Sequence, residues 1–144
     1  MMPKILLALA LVVLSGCSLS NLPTPRATYR PVPDPALCAR IAAIPGVTGV
    51  DLRWSNGFDN PNGYRGSIHI KAHTDAVQVL DRALAILRQG HPAADLGGLE
   101  VAPDGSFATS PLDVGLMTQA DYTARYGPQP GTGIPPPTPL RLRR

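Results

Sequence analysis

The chain has 144 residues, 44% of them apolar and 16% charged, with 17 prolines, 14 glycines, two cysteines and a formal net charge of +3. Such a length holds one domain at most, and the prolines narrow it further: five lie from Pro23 to Pro35 and six from Pro128 to Pro139. A core of roughly 90 residues between them excludes a deep cleft built on two subdomains. From Pro35 to Gly127 there are 7 Lys and Arg against 9 Asp and Glu, so the positive excess belongs to the ends and not to the folding part.

At the N-terminus Lys4 precedes an unbroken apolar run from Ile5 to Leu14, followed at once by Leu14-Ser15-Gly16-Cys17. A charged start, a short apolar stretch and small residues form an export signal. Ten helical residues rise only about 15 Å against a hydrocarbon core of about 30 Å, too short for a permanent span. The tetrapeptide resembles the lipobox of bacterial lipoproteins, in which the cysteine is acylated and the chain is cut just before it. The resemblance implies a signal peptide over residues 1–16, Cys17 as the lipid-attachment residue carrying palmitate-type chains, and a protein anchored in the cell membrane on its extracytoplasmic face. Two or three acyl chains suffice for stable anchoring. Inner and outer membrane both remain open, since Ser18 suits outer-membrane sorting and the composition suits a single-membrane envelope. With Cys17 acylated, Cys38 is the only thiol left, so no intramolecular disulfide forms. Its neighbours Leu37 and Ile41 make it a small apolar residue of a helix, with an intermolecular disulfide or a reactive thiol as the other readings.

Residues 17–34 read as the lipidated cysteine and a Pro-rich tether, which in extended form would reach about 50 Å. Asp34 and Pro35 read as the N-cap and first position of a short helix carrying Leu37, Ile41 and Ile44. Val50, Leu52 and Trp54 alternate with Asp51 and Arg53; Tyr64, Ile68 and Ile70 alternate with Arg65, His69 and Lys71. Period two on both sides of a turn-rich loop predicts a half-buried antiparallel hairpin. Thr74-Asp75 caps a second helix whose stripe is Val77, Leu80, Ala83, Leu84 and Leu87, with Asp81, Arg82 and Arg88 off it. Leu99 to Ala102 and Ser106 to Thr109 predict a second hairpin, and Thr118 to Tyr126 a short helix closed by Gly127. Residues 35–127 are thus expected to form an α+β domain. It would be a two-layer sandwich in the order helix, hairpin, helix, hairpin, its antiparallel sheet carrying the helices on one face. Residues 128–144 are expected to be a disordered, basic, Pro-rich tail.

The element order, with Ile44-Pro45-Gly46-Val47-Thr48-Gly49-Val50, resembles the small αββαβ modules called BON domains. The resemblance implies an exported envelope protein that binds phospholipid or another envelope component. The same segment resembles ferredoxin-like metal-binding domains, which carry a Cys-x-x-Cys pair absent here, so a copper or zinc carrier is not expected.

The chemistry-bearing residues point away from catalysis. His69 and His73, four apart on a strand, would stand about 13 Å apart, too far to share an ion. His91 follows the second helix without a visible partner. There is no Gly-x-Ser-x-Gly elbow and no Gly-rich phosphate loop, and the segment before Gly63 fails as a calcium loop because Phe58 stands where its first carboxylate belongs. Neither a catalytic residue, nor a metal, nor a cofactor is therefore expected. If Val50, Leu52, Trp54, Ile68 and Ile70 face inward, the outer face collects Asp51, Arg53, Arg65, His69 and Lys71. With Trp54 opposite Tyr64, Arg53 falls opposite Arg65, and two guanidinium forks so placed suit an anionic ligand. Arg53, Arg65, His69 and Lys71 are therefore the candidate ligand-binding residues. The expected function is a non-enzymatic binding or assembly module, its partners the membrane through Cys17 and an envelope protein, anionic lipid or cell-wall polymer. Nucleic acid is not expected, because an exported domain rarely meets it. The alternative is an enzyme or accessory subunit acting on envelope polymers from the Ser55 to Gly63 loop.

Overall fold

A computed structural model describes residues 29–58, 62–103 and 107–143. The signal segment, Cys17 and most of the tether lie outside the described residues, as do parts of the loops after the first and third strands. Within them the order is α1 (Asp34–Ala42), β1 (Val47–Ser55), β2 (Gly63–Ile70), α2 (Ala76–Leu87), β3 (Asp95–Pro103), a 3-10 turn (Leu112–Val114) and α3 (Gln119–Tyr126). The class is α+β, with a three-stranded mixed sheet in the order β1-β2-β3.

β1 and β2 pair antiparallel, with Trp54 opposite Tyr64, Arg53 opposite Arg65 and Val50 opposite Ile68, the register that alternation predicts. The expected all-antiparallel sheet is corrected: β3 runs parallel to β2. The reason is α2, a crossover that returns the chain to the end where β2 began, after which the next strand can only run the same way. β3 also starts at Asp95, four residues before Leu99, through Gly97 and Gly98, residues that sequence propensity reads as loop. Among the described residues the second expected hairpin is represented by one bridge, in which Val101 and Thr109 exchange N–H···O bonds of 2.9 and 2.8 Å. Ser106 lies outside the described residues.

The core is formed by Leu37 and Ile41 of α1, Ile68 and Ile70 of β2, Leu80, Leu84 and Leu87 of α2, and Leu99 and Val101 of β3. Asp75 caps α2, its carboxylate accepting from the Gln78 N–H at 3.1 Å. Asp34 does not cap α1; Pro33 holds that position, and the Asp34 carboxylate is engaged elsewhere. α3 starts on a capping box, in which Thr118 and Asp121 each bond the other's backbone N–H. It buries Tyr122 in the core.

A further correction concerns α2. Asp81 and Arg88, expected on its solvent side, are buried. α3 and the C-terminal tail cover that side. Arg125 grips both Asp81 oxygens at 2.9 and 2.6 Å, Tyr126 donates to the same carboxylate at 2.7 Å, and Arg88 donates to the Gly127 carbonyl at 2.8 Å. Arg88 thereby places its charge at the C-terminal end of α3, where the helix dipole favours a cation. Residues 128–143 contain no helix or strand, yet they do not hang free as expected. Arg125 donates to the Thr138 carbonyl at 2.9 Å, the Arg143 N–H donates to Asp113 O at 2.8 Å, and Leu140 packs on the core. A proline-rich segment loses little chain entropy on docking and brings few N–H groups to satisfy, so a handful of contacts holds it.

Candidate functional site

The sheet side opposite the core groups the residues singled out from the sequence. On β1 these are Asp51 and Arg53, both exposed; on β2 they are Arg65 and His69, half-buried, and Ser67 lies between them on the same face. The partners of Arg65, Ser67 and His69 on β3 are Gly98, Glu100 and Ala102, respectively. Lys71 follows the end of β2 and is exposed, its N–H held by Gly46 O at 2.8 Å. β2 ends at Ile70, so His73 is not on the strand; it adopts φ 67° in the turn before α2.

Arg53 and Arg65 stand opposite each other, but a ligand is not needed to relieve Arg65. Its guanidinium reaches across β3 to Asp95 at 3.2 Å. Gly98 makes this reach feasible: a Cβ there would collide with the Arg65 side chain. His69 lies 3.0 Å from the Asp51 carboxylate. Arg53 and Lys71 are the cations of this group left without a carboxylate partner among the described residues, and of the two only Arg53 lies on a strand, opposite another guanidinium. Gly66 sits opposite Leu52 at φ +127°, and a side chain there would strike the Asp51 carbonyl, so only glycine lets the two strands approach.

A second cluster was not visible in the sequence. His91 stacks on Trp54 with ring centres 3.8 Å apart and places Nε2 at 3.4 Å from Asp34. The Tyr64 hydroxyl donates to Asp34 at 2.7 Å and accepts from the His91 N–H at 3.3 Å. Burial, together with its bond to Asp34, pushes the Tyr64 phenol far above its ordinary range. Beside it, Tyr29 donates to the Gly90 carbonyl and the Val32 N–H to Gln89 O. No nucleophile stands within this group. It fastens the end of the tether to the turn after α2, and the only sequence signal for it was an aspartate placed as a cap.

Burial pushes the Cys38 thiol up, with Asp34 adding to the effect, so the thiol is not activated. Among the described residues no three His, Cys, Asp or Glu side chains come together as a metal site, and no helix is long and apolar enough to cross a membrane. A cleft of about 450 Å³ between α1, α2 and the tail contains none of the candidate ligand-binding residues Arg53, Arg65, His69 and Lys71. Compared with known proteins, the chain matches no family model, no curated protein and no solved structure.

Proposed function

We propose that the chain is a lipid-anchored protein of the bacterial cell envelope whose α+β domain is a non-enzymatic binding or assembly module. Cys17 is its attachment point, and Arg53, Arg65, His69 and Lys71 mark the face it presents. The observation that carries the reading is Arg53: an exposed guanidinium, opposed by another and without a carboxylate partner among the described residues, is a ready site for a partner's oxyanion. The order α1-β1-β2-α2-β3 supports a BON-like module. A two-layer arrangement is supported by α1 packing on β1, α2 on β3, and the two helices on each other. The Leu14-Ser15-Gly16-Cys17 motif supports the anchor.

The anchor is tested by Cys17→Ala. Metabolic labelling with a fatty-acid analogue should mark the wild type and not the variant, and a variant that is still labelled and membrane-bound refutes the anchor. Turnover of a glycan or lipid by the chain would favour an enzyme over a binding module.

A further inference from the structure

β1 is the outer strand of the sheet, and no described residue pairs with its far edge. Apart from the ladder to β2, its backbone makes one hydrogen bond to described residues, from the Val47 N–H to Ile44 O. On that edge Thr48 to Ser55 therefore present a row of N–H and C=O groups without a partner among the described residues. The opposite edge differs, since Thr109 closes on Val101 of β3. A nine-residue edge without proline, longer than a usual strand of about five or six, is a template for another strand.

The sequence of β1 is complementary to itself. When two β1 strands run antiparallel with Leu52 opposite Leu52, Asp51 of each copy meets Arg53 of the other, and Val50 meets Trp54. Charge pairs with charge on the outer face, and apolar side chains pair on the core side, where Val50, Leu52 and Trp54 are only half-buried. Neighbouring registers fail. A slip of one residue sets charged positions against apolar ones, and a slip of two sets Asp51 on Asp51 or Arg53 on Arg53. The favoured register also supplies Arg53 with the carboxylate that its own sheet gives to Arg65.

We propose that the occupant of this edge is a second copy of the chain, the two three-stranded sheets joining about a two-fold axis at Leu52. This deepens the binding reading by naming one partner. It is read on the full chain in detergent, without any envelope component, so its failure leaves the envelope partner's own test standing.

The experiment is sedimentation of the full chain and its charge variants, with circular dichroism to confirm folding. The wild type should sediment as a dimer. Asp51→Arg and Arg53→Asp should each be monomeric, because every cross-copy pair becomes like-charged. Mixed in equal amounts they should recover a dimer, one chain supplying two arginines and the other two aspartates. Should a single reversal fail to fold, the double variant Asp51→Arg with Arg53→Asp restores the pairing and should be dimeric. Independently, Leu52→Cys with Cys38→Ser should give a covalent dimer on oxidation. A monomeric wild type, single reversals that dimerise as well as it does, a folded mixture or double variant that stays monomeric, or no covalent dimer through position 52 would each overturn the proposal.

Discussion

Two arginine–aspartate pairs, one on each side of the molecule, have different consequences. Arg125 and Asp81 meet beneath the tail with side chains only 13% and 7% exposed, while Arg65 and Asp95 meet on the sheet with 33% and 38%. Between the first two, water is gone and every lone pair must find a donor, which Tyr126 and the bidentate guanidinium supply. On the sheet, solvent screens the second pair, and it contributes little to holding the fold. The helical side is therefore where polar groups fix the structure. On the sheet side they stay in contact with solvent.

The largest expected effect lies on the buried side. Asp81→Ala strands the Arg125 charge and the Tyr126 hydroxyl, and should cost about 3–5 kcal/mol. Thermal unfolding followed by circular dichroism should show a fall of more than about 10 °C and protease sensitivity beyond Pro128. A variant as stable as wild type would erase the contrast between the two sides. Next comes Tyr64→Phe, which leaves Asp34 and the His91 N–H without their shared partner and should cost about 1–2 kcal/mol in denaturant unfolding. Thr118→Ala should follow at about 1 kcal/mol through loss of the α3 cap.

The same corner has a pH dependence. N–H donors from Ser110 to Asp113, and from Met117 and Thr118 to Asp121, hold both carboxyls below their usual range. A carboxyl lowered in the fold contributes stability above its unfolded pKa of about 3.9 and loses it as pH falls through the folded value. The protection of the Thr118 to Tyr122 amides, taken from the exchange rate relative to that of the unfolded chain at the same pH, should therefore fall below about pH 4 and stay flat between pH 5 and 7. The smallest effect belongs to Arg53→Ser, expected within about 0.5 kcal/mol of wild type in thermal unfolding, since an exposed charge contributes little to the fold of its own chain.

Elements built from local pattern were legible: the alternation around Trp54 and Tyr64 gave the β1–β2 register, Asp75 announced α2, and Thr118 and Gly127 bracketed α3. What escaped was long-range. β3 hides its first half behind Gly97 and Gly98, and the role of Gly98, to leave room for the Arg65 side chain on its way to Asp95, is invisible without the register. Its direction follows from the crossover and not from its own residues. Asp81 and Arg88 look like solvent-facing charges until α3 and the tail are laid over them, and composition cannot distinguish a proline-rich segment that docks from one that does not. At the candidate face, Arg53, Arg65 and His69 fell where alternation put them, but the committed partners of Arg65 and His69 came from tertiary contacts. His91 needed Asp34, 57 residues away, to show a role.

The central claim, that the fold is held on the helical side while the sheet side is free for a partner, is tested most directly by replacing Arg53 and Arg65 together with Ser in the full chain. Thermal stability and the proteins recovered by pull-down from crosslinked envelopes are then compared with wild type. Stability within about 1 kcal/mol of wild type and loss of the recovered partner are expected. Unchanged recovery, or a collapse in stability comparable to that of Asp81→Ala, would contradict the claim.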